Sequence, residues 1–394
     1  MSFKIRKTNA LYVLLILPLL VPSSLYVYPA VLSVVKILKL IAFGYSLYLL
    51  TGSTLRKEKM LWLVGAYCIF LLISTVIQGG QIYTWFSTLY PYFTICVLVC
   101  SWYLISGDEA LDILATIFSM FLLLNIISWL MGGLYVDKTS SFGTERIVYF
   151  WGIRNSLTHC LLPMSVIILI NAQNIKNRKL KLLTELLVVV LNVAIALSMK
   201  LVTALIGVAS FAVIYVVNGS RYRELPKWNK LLFWIVIAST MSISVFGMNN
   251  SFIQDIMLTM GKGTTFNGRT YIWDSIISQM NDLSWIIGHG IGQTMAFSIQ
   301  GAVTSTTHSQ YLYILFESGV VGLVLFFRII YGQLRPLFML ELGNEKRIIF
   351  SGIMCILIAA IVENVCNNCY FYVMLCACYC CIKGQMVDSR DEQA

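Results

Sequence analysis

Apolar runs of about 20 residues recur from one end of this chain to the other, mostly separated by short connections. Coiled as a helix, a run of about that length crosses a ~30 Å hydrocarbon core. A chain that repeats it throughout has far more apolar surface than one water-soluble core can cover. Composition agrees, with 58% apolar and 12% charged residues and a mean hydropathy of +0.80, against roughly 45–50% and 25% in soluble domains. We expect an all-α integral membrane protein of about twelve transmembrane helices, forming a single polytopic domain over residues 1–394.

The runs place helices near residues 10–29, 31–50, 60–78, 86–106, 110–133, 156–171, 182–199, 201–217, 231–247, 310–331, 348–364 and 367–383. The first reads as a span, because no small-residue cleavage site follows it. Lys and Arg accumulate on the cytoplasmic side of membrane proteins. With both termini inside, twenty of the 28 Lys and Arg fall in inside segments and six outside: Lys138, Arg146, Arg154, Lys200, Lys262 and Arg269. Lys36 and Lys39 fall within the second span, where snorkelling to the interface is the plainer reading. The net charge of +10 then reflects topology and anionic inner-leaflet lipids, and calls for no nucleic-acid partner. The eleven cysteines cluster late, including Cys366 and Cys369 in CNNC. No second pair or histidines stand at ligand spacing, so no metal is expected and the thiols read as apolar packing groups.

Two external segments are longer than the rest, residues 134–155 and 248–309. The second is a large extracytoplasmic loop with the aromatic content of a folded element, and loops of that length are usually functional or disordered. Within it Ile272, Trp273, Ile276, Ile277 and Met280 follow the spacing of an amphipathic helix, which we expect at the outer interface, with Trp273 at headgroup depth. The GHGIG stretch at 288–292 lacks the strand and βαβ context of a dinucleotide fingerprint. Its glycines suit tight turns that let the backbone approach another element.

Six outer cations face Asp137, Glu145, Asp255, Asp274 and Asp282, so individual cations matter more than any bulk field. Lys200 interrupts the apolar run VAIALSMKLVTALIGVASF with almost no loop around it. A charge at such a place marks a functional site or snorkels to the interface, and spacing leaves both open. Arg269 opens the amphipathic helix and His308 closes the loop. If these two meet Lys200 in one cavity, fixed cations beside a titratable imidazole suit a phosphate or pyrophosphate leaving group. A hydrogen-bonded structural histidine is the other reading of His308.

The ordered series NGRTYIWDSI, WIIGHGIGQ and TTHSQYLYILFESGVVGLVLFF resembles the signature region of the O-antigen ligase and polymerase superfamily, polytopic glycosyltransferases that include Wzy-type polymerases and WaaL-like ligases. YFWGIRNS and ALSMKLVTAL are similar to further family segments. The resemblance implies a GT-C-like helical fold. It matches Arg269 to the loop arginine, His308 to the catalytic histidine, and Lys200 to a position usually held by a second arginine, where lysine lacks the bidentate fork. Ser309 stands where the family has Asn, which bears on how the imidazole is oriented. Glu317 and Gly319 match motif positions, with Glu317 as a supporting residue; packing explains Gly319 and Gly322 equally well.

The family's chemistry implies, as expectations, a metal- and cofactor-independent glycosyltransferase on the outer face of the cytoplasmic membrane. It would use an undecaprenyl-pyrophosphate-linked glycan as donor and acceptor, with membrane lipids and the pathway's flippase and chain-length regulator as further partners. His308 would take the acceptor's proton. Arg269 and Lys200, with Arg154 and Arg146, would stabilise the departing pyrophosphate. Lys, Ile and Asn usage hints at an AT-rich genome, and a Gram-positive organism of that kind, lacking lipid A, would favour a capsular or exopolysaccharide polymerase over an O-antigen-type ligase. A lipid-linked oligosaccharide flippase is the rival from another class, though no internal repeat relates residues 1–195 to 196–394.

Overall fold

The computed structural model describes residues 7–52, 54–137, 145–219, 225–246, 272–292, 297–299, 302–304, 307–338 and 342–391. Its helices are α1 (Lys7–Ile16), α2 (Pro29–Leu49), α3 (Lys59–Ile77), α4 (Ile82–Ser106), α5 (Glu109–Leu130), α6 (Arg154–Ala172), α7 (Arg178–Ser198), α8 (Val202–Val217) and α9 (Leu225–Phe246). After them come α10 (Asp282–Ile287), α11 (Gln310–Leu334), α12 (Asn344–Ala359) and α13 (Cys369–Asp391), and residues 272–279 are also helical. A helix overlaps each of the twelve apolar segments in whole or in part. Six are long and apolar enough to cross a membrane: α2, α3, α4, α5, α7 and the stretch Gln310–Phe338; several others are apolar but shorter.

The chain is not wholly helical. Strands β1 (Tyr135–Asp137), β2 (Arg146–Tyr149) and β3 (Gly152–Ile153) form an antiparallel sheet in the order β1-β2-β3, and β4 (Phe297–Ile299) pairs with β5 (Ala302–Thr304). Both sheets fall in the two long connections.

Three expected spans differ in detail. The first is not one helix over 10–29: α1 ends at Ile16 and the chain continues through 3-10 turns at Leu17–Leu20 and Ser23–Val27. Pro18 and Pro22 explain this, since each removes an N–H that a continuing helix needs. The broken segment is instead held by side chains. Ser23 and Ser24 donate to the carbonyls of Trp151 and Phe150, and Tyr370 donates to that of Leu20 at 2.6 Å.

The expected helix at 348–364 ends at Ala359, which leaves residues 360–368 as a connecting turn before α13.

The third difference is the largest. α11 contains Gly319 at φ 61, ψ −167, outside the helical region. Tyr311 and Phe327 stack with ring centroids 5.4 Å apart, whereas 16 residues of straight helix would separate them by ~24 Å. The helix therefore folds back at Gly319. Residues 320–334 run along α3, with Phe326 against Tyr67, while residues 310–318 lie beside them and bond to α12 through Tyr311 Oη and the Leu357 carbonyl at 2.7 Å. A hydropathy profile adds the two halves together and sees one span.

The most buried layer is built by α4, α6, α11, α12 and α13, whose facing side chains are almost entirely inaccessible. All eleven cysteines are buried free thiols, Cys366 and Cys369 included. At one end of the bundle Lys383 of α13 pairs with Glu58 ahead of α3. The residues considered next gather at the other end.

Candidate functional site

His308 sits just before α11 with φ 49, in the left-handed region. A non-glycine residue there is strained by roughly 1–3 kcal/mol, and such strain persists only where neighbours enforce it. The neighbours are visible on both sides. Trp273 Nε1 donates to the Thr307 carbonyl at 2.8 Å. The Thr307 hydroxyl donates toward the Ser309 carbonyl (2.7 Å) and Asn364 Oδ1 (3.0 Å). Gln310 N–H donates to the Ala360 carbonyl at 3.0 Å, Gln310 Nε2 to Asn367 Oδ1 at 2.7 Å, and Cys366 N–H to Gln310 Oε1 at 2.9 Å. The loop helix and the α12–α13 turn thus grip the residues flanking His308.

This corrects the reading of residues 272–279 as an interfacial helix with Trp273 among the headgroups. Ile272, Trp273 and Ile276 are almost wholly buried, and the Trp273 indole is spent on the backbone next to His308. The apolar stripe was legible, but whether it faces lipid or protein is set by what packs against it.

Sequence reasoning missed Glu363. Its Oε1 lies 3.5 Å from His308 Nδ1, with the imidazole 24% and the carboxylate 12% exposed. Placing residues 348–364 in one helix hid this acid. An acid interrupting the apolar run AAIVENV is the signal that could have found it, the same signal that singled out Lys200. From α6, His159 also interacts electrostatically with Glu363, and its Nε2 is buried with no hydrogen-bond partner among the described residues.

The cations form a second group. Arg146 on β2 and Arg154 at the start of α6 line one cavity of about 420 Å³ together with Glu145, Ile147, Tyr149 and Ile153. Arg154 Nη2 donates to the Lys200 carbonyl in the α7–α8 turn. In that turn Lys200 is exposed, at φ 52. Lys200 and His308 are the only non-glycine residues with positive φ among the described residues. The N-cap residue of α6, Ile153, provides no side-chain cap, and the positive end of the helix dipole lies at Arg154. His159 follows Arg154 by five residues, about 7.5 Å along α6. The structure thus brings Arg146, Arg154 and Lys200 together, and separately His308, Glu363 and His159, with α6 linking the two groups. Arg269, Lys138 and Lys262 lie outside the described residues.

Glu317 is not beside His308. It lies at the far end of residues 310–318, buried at 8% exposure against the Tyr313 hydroxyl and next to the Gly319 break. The break frees carbonyls that a continuous helix would occupy, and the GHGIG stretch supplies donors for them. His289 N–H donates to the Phe316 carbonyl at 2.7 Å and Gly290 N–H to that of Glu317 at 3.0 Å. The same stretch is tied to α3: Ser74 donates to the Ile287 carbonyl, Gln78 Nε2 to that of Gly288 at 2.8 Å, and Ile291 N–H to Thr75 Oγ1 at 3.0 Å. A Cβ on Gly288 would meet Glu317 C at 2.3 Å, and one on Gly290 would meet Thr75 Cα at 2.6 Å. These glycines serve close backbone approach, as expected, and here they fasten the loop to the fold-back of α11.

Residues 147–327 match the O-antigen ligase family model, a little under half of the chain. The match begins within β2 and ends in the second half of α11, so it encloses Arg154, Lys200, the GHGIG clamp and His308. No curated protein and no solved structure matches the chain. The histidine, the cationic turn and the segments singled out in the sequence all lie inside the matched region, so over residues 147–327 the chain is similar to the O-antigen ligase family.

Proposed function

We propose that this protein is a membrane glycosyltransferase that polymerises undecaprenyl-pyrophosphate-linked oligosaccharide repeat units on the outer face of the cytoplasmic membrane. The observation that carries the reading is His308, held in a strained conformation at the same end of the bundle as Arg146, Arg154 and Lys200. His308 takes the proton of an acceptor sugar hydroxyl. The hydroxyl oxygen bonds to the anomeric carbon of the donor, the bond from that carbon to the pyrophosphate oxygen breaks, and undecaprenyl pyrophosphate leaves with the electron pair. Cations fixed where that charge develops stabilise the transition state, each by up to ~3 kcal/mol. Arg269, four residues before Trp273 in the chain, is assigned to this group with Lys200, Arg154 and Arg146.

Helix lengths support a site reached by a lipid-borne substrate. α12 has 16 residues, about 24 Å of helix, short of a ~30 Å hydrocarbon core. A turn at 360–368 that caps so short a helix falls within reach of a pyrophosphate at the headgroup boundary.

The test is the size distribution of undecaprenyl-linked glycans in cells lacking the gene, complemented by wild type or His308→Ala at equal protein level. Accumulation of single repeat units, relieved by wild type and not by His308→Ala, is expected. Long chains stranded on the lipid would assign a ligase instead. Single units confined to the inner leaflet would replace the proposal with a flippase.

A further inference from the structure

Resting on the assignment of His308 as proton acceptor, we propose that Glu363 is its positioning residue, keeping a proton on Nδ1 so that Nε2 presents its lone pair to the acceptor hydroxyl. A neutral imidazole carries one N–H and one lone pair, and which nitrogen holds the proton is set by what the other ring position faces. Nδ1 of His308 faces the Glu363 carboxylate at 3.5 Å. A lone pair there would oppose an anion, whereas an N–H there is attracted to it. The separation is somewhat longer than a hydrogen bond, and contacts of this kind tighten when substrate binds.

The placement of Glu363 is enforced from several directions. Asn364 accepts from the Thr307 hydroxyl at 3.0 Å, the Ala360 carbonyl accepts from Gln310 N–H at 3.0 Å, and Gln310 Oε1 accepts from Cys366 N–H at 2.9 Å. The turn that carries the carboxylate and the residues that flank the imidazole are therefore one hydrogen-bonded unit. This also accounts for Ser309 in place of the family's Asn: the orientation is supplied from across the site. Once His308 has taken the proton, its imidazolium lies beside a fixed negative charge, so the carboxylate acts on charge that develops during the reaction.

A purely structural Glu363, pinning the turn at 360–368, would leave the tautomer of His308 unaffected. The experiment is two-bond ¹H–¹⁵N correlation on the full-length protein with ¹⁵N-labelled histidine, in nanodiscs without substrate. Only His159, His289 and His308 contribute, and single substitutions assign them. The wild-type His308 ring is expected with its proton on Nδ1, and in Glu363→Ala the proton is expected to move to Nε2. Glu363→Gln keeps the side-chain shape but removes the charge and offers an N–H as well as an acceptor oxygen, so the Nδ1 proton is no longer enforced. It should hold KM for the lipid-linked donor within about twofold and lower kcat by roughly 100-fold, with partial recovery in Glu363→Asp. A wild-type His308 protonated on Nε2, or a His308 signal unchanged in Glu363→Ala, would overturn the proposal. Because the spectrum is read without substrate, its outcome is independent of the reaction assigned above. An Nδ1-protonated His308 in a protein that never elongates glycan would sink that reaction and leave the positioning intact.

Discussion

Lys200 and His308 share a property that neither spacing nor composition displays: a backbone in the left-handed region, which side chains with a Cβ adopt at a cost of about 1 kcal/mol or more. In the α7–α8 turn a glycine would adopt it freely, so lysine is there despite the strain. Two substitutions at this residue separate its charge from its backbone. Lys200→Gly should raise the thermal midpoint of the purified protein while lowering glycan elongation at least tenfold; Lys200→Arg should keep elongation within a few-fold of wild type, because the charge is retained and the guanidinium adds a planar fork that can hold two oxygens at once. If both variants elongate normally, Lys200 holds no substrate. Arg154→Lys tests the neighbouring position. Loss of the planar fork should weaken its hold on the Lys200 carbonyl and lower kcat/KM about tenfold, measured with lipid-linked donor.

At the scale of elements, the fold-back of α11 and the 288–292 clamp depend on each other. Gly288 and Gly290 have φ of 78 and 76, and added methyl groups would collide with backbone rather than with movable side chains. Gly288→Ala or Gly290→Ala should destabilise the clamp by about 2 kcal/mol or more, seen as faster proteolysis of the long loop and loss of elongation with the protein still inserted. His289 adds a pH dependence. Burial of its ring against Phe316, 4.5 Å between centroids, pushes its pKa below the ordinary histidine value, opposed by a hydrogen bond to the Gln279 backbone. With the folded pKa below the unfolded one, the opened loop binds more protons. Clamp stability is therefore complete above the unfolded value near ~6.5 and is lost progressively as pH falls below it. Once the intrinsic pH dependence of amide exchange is divided out, residues 286–292 should be less protected at pH 5.5 than at 7.5, and His289→Phe should remove the part of that difference that is specific to this segment.

These elements also show what could be read in advance. The apolar stripe at 272–280 and the turn-forming glycines were legible because periodicity and missing side chains are local properties. That Trp273 bonds to Thr307, or that residues 310–334 double back, was not. Both depend on which surfaces meet, and two half-helices of equal hydropathy give the same profile as one continuous span.

For the molecule as a whole, the charge distribution makes a prediction about sidedness. All eleven native cysteines are buried, so background labelling should be low. A cysteine at Lys200 or Arg146 should react with a membrane-impermeant maleimide on intact cells or spheroplasts, whereas one at Lys57 or Lys179 should react only after permeabilisation. The reverse pattern would place the candidate site on the cytoplasmic face and remove the proposed donor from reach.

The chain alone determined that this protein is a set of apolar helices with most of its candidate site residues in the connections or at helix ends, because a hydrocarbon core accepts long apolar runs and excludes unpaired charge. It also singled out His308 and Lys200, since polar residues at the edge of an apolar run are conspicuous in one dimension. Only the tertiary structure decided that Glu363 faces His308, that Arg146 and Arg154 share a cavity, and that Glu317 belongs to a helix break rather than to the imidazole. Glu363 and His308 stand far apart in the sequence, and even the nearer pairings take their geometry from strand pairing, a helix break and the packing of whole helices, which no local pattern of residues records.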